Sequence, residues 1–233
     1  MIRKKLLAEF LSICKRKDYR AAIEFQDKIK NLIPGKPARK KIRNICGLDI
    51  SFDKGSERVF AAASVHSFPD LAVIEQKGVT SITEFPYIPG LLAFREGPAI
   101  IELLEKLKSP IDLFLFDGQG IAHPRGAGIA SMMGLLLDKP SIGCAKTRLV
   151  GGYDGPASRK GASSRLTHNG MIIGSVLRTR DNVKPVFVSV GYKIDLKISV
   201  DSILKCCRKY RIPEPIREAH RLSNQLRTES NIN

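Results

Sequence analysis

The sequence predicts an α/β fold around a mixed central β-sheet, an antiparallel meander plus parallel strands, flanked by helices. Residues 45–52, 58–66 and 71–78 are strand-like runs rich in Ile, Val, Phe and Ala. They are joined by the short turns Asp53-Lys54-Gly55-Ser56 and Ser67-Phe68-Pro69-Asp70, which is the pattern of consecutive hairpins. Helical and strand-like stretches then alternate over residues 98–144, which calls for right-handed crossovers and parallel pairing. Two of the strand-like runs end in an acid at a turn: Asp49 after Ile-Cys-Gly-Leu, and Asp117 after Ile-Asp-Leu-Phe-Leu-Phe.

Taken in order, residues 2–14 carry Ile2, Leu6, Phe10, Ile13 and Cys14 at helical spacing, and 19–33 do so with Ala22, Phe25, Ile29 and Ile33. Pro34-Gly35 stops the second helix. The basic connector 36–43, Lys-Pro-Ala-Arg-Lys-Lys-Ile-Arg, reads either as a contact to a phosphate backbone or as a solvated linker. After the meander come a proline-rich loop at 85–90 and a helix over 98–108, with Pro98 in its first turn. A strand at 111–116, a helix at 126–137 and a strand at 140–144 follow. Residues 171–178 and 186–191 read as later strands, and 200–210 and 214–227 as helices interrupted by Ile212-Pro213-Glu214-Pro215. The chain shows no internal repeat. One domain over 1–233 is expected, with 1–44 a basic helical segment packed on it. Acids on the first and fourth strands of such a sheet are the layout of the ribonuclease H-like nuclease fold.

The 233 residues are 43% hydrophobic, enough for a full core. Lys plus Arg is 39 against 23 acids, a net charge of +16. Residues 1–44 hold fourteen Lys/Arg and four Asp/Glu, so that segment alone carries +10. A surface of this sign favours polyanions through counterion release, without sequence preference. With no Trp, broad aromatic stacking is not the main binding mode. The cysteines at 14, 46, 144, 206 and 207 have no zinc spacing and fit a reducing compartment. No apolar run approaches transmembrane length, and Glu9 interrupts any signal-peptide core. A cytoplasmic protein with no membrane association is expected.

If the first and fourth strands are neighbours, Asp49 and Asp117 meet at one sheet edge. Two carboxylates that close need a cation between them, and Mg²⁺ is the usual one. The alternative for each acid alone is a turn cap. Glu96, in Phe-Arg-Glu-Gly-Pro at the helix entry, is either a cap favoured by the helix dipole or a third acid over the sheet edge. The stretch 117–130 holds Gly118, Gly120, Gly126 and Gly128, which allow close approach of backbone or of a flat ligand. It is neither a Walker A loop nor a GxGxxG. His123 within it could contact phosphate or orient a metal ligand, or could be a surface side chain. Lys146 and Arg148 follow a strand, where a lysine could neutralise a phosphate or protonate a leaving oxygen, or simply form a basic rim. His66, His168 and His220 have no partner visible in the sequence and read as surface residues.

Six blocks together resemble the endonuclease V family: Gly-Leu-Asp-Ile-Ser-Phe (47–52), Pro-Tyr-Ile-Pro-Gly-Leu-Leu-Ala-Phe-Arg-Glu-Gly-Pro (86–98), Asp-Gly-Gln-Gly-Ile-Ala-His-Pro-Arg (117–125), Gly-Ile-Ala-Ser (128–131), Ile-Gly-Cys-Ala-Lys (142–146) and Pro-Glu-Pro-Ile-Arg-Glu-Ala-His (213–220). The likeness spans nearly the whole chain, including the helix around Gln26. It implies a nuclease of DNA repair that acts on deaminated adenine. Asp49 and Asp117 would hold Mg²⁺, with Mn²⁺ as a substitute, Glu96 and His220 would complete the acid site, and Lys146 would act on the phosphate. Tyr87, with Pro86 and Ile88 beside it, would be the wedge that parts the strands; otherwise it is a core aromatic. The flipped hypoxanthine would enter a pocket of Gly90, Leu91, Leu92, Gly118, Gly128, Ile129 and Gly143, with His123 nearby. A metal-activated water would attack phosphorus in line. The cut would fall at the second phosphodiester bond 3′ to inosine, leaving 3′-hydroxyl and 5′-phosphate ends. DNA containing deoxyinosine is the expected partner, inosine RNA a further one, and a monomer the expected state. Two rivals stay open: another ribonuclease H-like metal nuclease, specific for hybrids or junctions, and a non-catalytic inosine-binding module.

Overall fold

A computed structural model describes residues 2–33, 35, 37, 41–53 and 55–230, Ile2 without its side chain. The expected stop at Pro34, and Lys36, Ala38, Arg39 and Lys40 of the basic connector, lie outside the described residues. Strands β1 (Asn44–Phe52), β2 (Arg58–Ser67) and β3 (Val73–Ile82) form the antiparallel meander. Strand β4 (Leu113–Phe116) pairs parallel with β1, and β5 (Ser141–Ala145) parallel with β4. Strands β6 (Ser163–His168), β7 (Met171–Leu177) and β8 (Val186–Tyr192) extend the sheet antiparallel, giving the order β3-β2-β1-β4-β5-β8-β7-β6.

Alternation along the central strands explains the layers. Cys46, Leu48, Phe114 and Phe116 point into one core with helices α1 (Ile2–Arg16), α2 (Tyr19–Ile29), α3 (Leu92–Glu105) and α4 (Ile129–Leu137). Ile45, Leu113 and Leu115 point into a second core with α5 (Leu196–Cys206) and α6 (Glu214–Ser230). The N-terminal helices belong to the first core. The Phe10 ring lies 5.3 Å and the Phe25 ring 6.1 Å from that of Phe94 on α3. All three are buried, each contributing roughly 2 kcal/mol by burial. All five cysteines are free and buried. Among the described residues, no helix is long and apolar enough to cross a membrane.

The structure differs from the sequence expectation in three places that matter. Helix α3 starts at Leu92, not near Pro98, so Pro98 sits inside it. An interior proline costs about 3 kcal/mol. Burial of Phe94, Ile100 and Leu103, at roughly 1.5–3 kcal/mol each, outweighs that cost. Glu96 therefore lies in the second turn of the helix, and the capping role is removed. Strand β6 falls where the sequence predicts no element. Only Leu166 of its six residues is buried, so this edge strand has no apolar run to betray it. His66, read as a surface residue, is buried and satisfied, with a ring nitrogen 2.7 Å from Ser64 Oγ and the other 3.1 Å from Leu71 O.

Candidate active site

The last paired residues of β1 and β4 are Leu48 and Phe116, so the next residue on each strand is an aspartate. Neighbouring strands lie about 4.8 Å apart, which sets Asp49 and Asp117 side by side at the sheet edge. By alternation Asp49 shares the face of Ile45 and Gly47, the face α6 covers. A β-carbon at Gly47 would stand 2.1 Å from the Pro215 carbonyl carbon, so α6 can reach β1 only because position 47 has no side chain. That contact brings His220 and Ser223 onto Asp49. His220 Nδ1–H donates to Asp49 Oδ2 at 3.1 Å, and Ser223 Oγ donates to the same oxygen at 2.8 Å. Asn224 Nδ2 lies 3.2 Å from His220 Nε2 and donates to the His220 carbonyl. His220, without a partner in the sequence reading, thus has three polar neighbours here.

Glu96 faces the same cleft from α3. Burial, then the charges of Asp49 and Asp117, push its carboxyl up to about 8. Burial also raises Asp49, against the lowering effect of Ser223 and His220. Lys146, directly after β5, forms an ion pair with Asp117. This set suits a divalent cation. Three carboxyl groups share one cleft, and two of them, Asp49 and Glu96, are pushed toward their protonated forms, chiefly by burial. Among the described residues, no three His, Cys, Asp or Glu side chains form a complete cage. Mg²⁺ does not need one, since it is ordinarily held by one or two carboxylates, with waters and substrate phosphate filling the rest.

The opposite part of the cleft is a fastened loop. The carbonyl of Gly90, in Pro-Tyr-Ile-Pro-Gly, accepts from Gln26 Nε2 at 2.9 Å, His123 Nε2 at 3.0 Å and Arg125 Nη2 at 3.1 Å. Arg125 Nε in turn donates to Gln26 Oε1 at 2.6 Å. His123 is buried and pulled down to about 4, first by burial and then by Arg125. Its ring is committed to this loop and not to a phosphate. Tyr87 is 68% exposed, which removes the reading as a core aromatic.

The cleft has a volume of about 410 Å³. Asp49, Glu96, Asp117 and Lys146 line it together with Tyr87, Ile88, Gly90, Leu92, Gly118, His123, Gly128 and Ile129. His220 joins through Asp49. Three other predicted residues do not line the cleft. Pro86 and Leu91 do not line the cleft, Leu91 being buried in the first core, and Gly143 packs under the loop, where a β-carbon would meet Gly120 N at 2.4 Å. Sequence reading missed Arg125, Ser223 and Asn224. Ser223 and Asn224 lie one helical turn beyond His220, which is the only local signal they offer.

The family model for endonuclease V matches residues 26–221. The chain belongs to the endonuclease V family. An endonuclease V of Dictyoglomus turgidum is 48% identical over 212 residues, covering 91% of this chain and 92% of that protein. The crystal structure of endonuclease V from Bacillus subtilis superposes with a TM-score of 0.87 at 33% identity, covering 92% of this chain and 94% of that one. Endonuclease V of Ciona intestinalis, solved in complex with a 24mer DNA containing an inosine followed by a ribo-adenosine, is 26% identical with a TM-score of 0.76, covering 88% and 95%. The sheet is accordingly ribonuclease H-like, and the chain is a nuclease that hydrolyses phosphodiester bonds. Endonuclease V enzymes are metal-dependent.

Proposed function

We propose that this endonuclease V acts in DNA repair, recognising deaminated adenine and hydrolysing the second phosphodiester bond on its 3′ side, with Mg²⁺ as the metal. The observation that carries this is the meeting of Asp49, Glu96 and Asp117 in one cleft whose other wall is the locked Gly90 loop with exposed Tyr87. A cleft of about 410 Å³ is within the range that holds a small ligand such as a purine. The inosine-containing DNA bound to the Ciona intestinalis relative supports the same reading.

Asp49 and Asp117 would hold the cation, which supplies charge neutralisation at the reacting phosphate and acidifies water. His220 spends Nδ1–H on Asp49, which leaves Nε2 as the ring acceptor for a proton from the attacking water. Lys146, released from Asp117, neutralises a non-bridging phosphate oxygen. The new bond joins water oxygen to phosphorus, the P–O3′ bond breaks, and the departing O3′ takes a proton from solvent, leaving 3′-hydroxyl and 5′-phosphate ends. Tyr87 fills the gap left by the extruded base. Helix α4 begins at the cleft, where Ala130 N–H donates to Gln119 O and Met132 N–H to Gly128 O, and the amides of cleft-lining Ile129 and its neighbour Ser131 precede any acceptor within the helix. They suit the O6 acceptor of hypoxanthine, whereas the amino group of adenine would set donor against donor.

The test is an incision assay on a duplex with one deoxyinosine, the undamaged duplex and an RNA with one inosine, each with Mg²⁺ and with EDTA. Incision of the deoxyinosine duplex only with Mg²⁺, at the second bond, is expected. Equal cutting of the undamaged duplex, or cutting in EDTA, sinks the reading. Tyr87→Ala is expected to weaken binding of the inosine duplex more than it slows cutting of bound substrate, and equal binding by variant and parent removes the wedge role.

A further inference from the structure

The segment that follows β5 carries a cation that the site does not yet use. Arg148 lines the same cleft as Asp117 and Lys146. Among the described residues it has no hydrogen bond or ion pair, in a chain where many other arginines are tied to a carboxylate or carbonyl. Its guanidinium stands 5.7 Å from the centre of the Tyr153 ring. Tyr153 is itself propped edge-on against the buried Phe187 ring, with centroids 5.4 Å apart at 74°. The backbone under Arg148 is pinned on both sides. Arg211 Nη2 donates to Lys146 O at 2.7 Å, and the buried Gln119 donates to Thr147 O at 3.0 Å. Beyond it, Gly152 and Thr167 exchange backbone bonds of 2.7 and 2.9 Å, which hold the segment to the sheet edge.

A charged side chain on a pinned backbone, within cation–π reach of a propped ring and open to the cleft, has already lost part of the freedom that binding would cost it. The exposed Leu149 beside it is 46% accessible and forms an apolar ledge at the same rim. Arg148 lies two residues past Lys146, a span of at most about 7 Å, the scale of one step between neighbouring phosphates on a strand.

The geometry points to Arg148, supported by Tyr153, as a binding residue for the backbone phosphate next to the one that is cut. The ligand class is a nucleic-acid strand, and recognition there is by charge, not by base. This rests on the function proposed above for the partner, but not on the identity of the lesion.

The experiment measures equilibrium binding, by fluorescence anisotropy in EDTA, of a deoxyinosine duplex and its undamaged counterpart, for wild type, Arg148→Gln, Arg148→Lys, Tyr153→Phe and Tyr153→Ala. Loss of one phosphate contact reduces the slope of log K against log salt by about 1 on both duplexes. Arg148→Gln is expected to show that reduction, Arg148→Lys and Tyr153→Phe to keep the parent slope, and Tyr153→Ala to fall between. A second series replaces the phosphates flanking the cut site one at a time by uncharged methylphosphonates. The weakening caused by Arg148→Gln is expected to vanish at one position only, one step from the scissile bond, as a double-mutant cycle requires for a direct contact. An unchanged slope in Arg148→Gln, or a weakening that survives every phosphate replacement, overturns the inference. If wild type binds both duplexes equally, the lesion reading fails while the slope comparison still decides the role of Arg148. Circular dichroism and thermal melting of each variant separate loss of fold from loss of contact.

Discussion

At the scale of single residues, the site is a set of side chains held by donors from far along the chain. Asp49 Oδ2 takes hydrogen bonds from both His220 and Ser223 and is buried, so its position is set before any ligand arrives. Asp49→Ala is expected to lower Mg²⁺-dependent incision by on the order of 10³-fold while inosine-duplex affinity in EDTA stays within about threefold, read by single-turnover kinetics and anisotropy. A large loss of affinity instead would make Asp49 a structural residue. His123 gives a second, independent reading. Its folded form is neutral, because burial and Arg125 pull it down to about 4 from an ordinary 6.5. The unfolded chain therefore binds a proton that the folded chain refuses between those values, and stability falls as pH drops from about 6.5 to about 4. Full expression of that shift is about 3 kcal/mol, so the difference in unfolding free energy between wild type and His123→Gln should narrow or change sign over that window. A difference that stays constant with pH would show that His123 is not buried neutral. Asp49 and Asp117 were legible in the sequence because each marks a strand end by itself. The hydrogen-bonding of His123, Arg125 and Ser223 was not. Their partners lie 33, 35 and 174 positions away, and no local pattern encodes such a distance.

Among elements, β1, β2 and the parallel strands were legible from their apolar runs and β3 from the short turn before it, while β6 and the start of α3 were not. Strand β6 buries one side chain, and α3 runs through a proline because tertiary burial outweighs a local breaker. The decisive element for the site is α6, and its closeness to β1 depends on Gly47. Gly47→Ala places a methyl group against the Pro215 carbonyl, backbone that cannot rotate away. The helix must shift, costing roughly 1–3 kcal/mol, and His220 and Ser223 shift with it. Thermal denaturation and incision should both suffer, with incision reduced at temperatures where the variant is still folded. Gly155→Ala is the control, since nothing lies within 4 Å of a β-carbon there. If both variants behave alike, the close approach of α6 is not what builds the site.

For the whole molecule, the proposed function divides the work of binding between the net charge of +16 and the cleft. Charge attracts any duplex, because released counterions drive association whatever the bases are. The cleft-lining residues proposed to meet the lesion are of another kind: Tyr87, Ile88, Gly90, Leu92, Gly118, Gly128 and Ile129 carry no charge. Affinity and selectivity should then separate cleanly with salt. Raising salt from about 50 to 200 mM should weaken binding of inosine and undamaged duplexes along parallel lines, by orders of magnitude if six or more phosphates are contacted. The ratio of the two affinities should stay constant, because both complexes neutralise the same phosphates. A titration in EDTA with both duplexes measures it. Converging lines would mean that the lesion complex recruits extra phosphate contacts, for example through a bend that the unmodified duplex resists. Diverging lines would mean that undamaged DNA is held in a different, more ionic register. Parallel lines leave the strand grip to the basic surface, Lys146 and Arg148 included, and the choice of base to the uncharged wall beside the three acids.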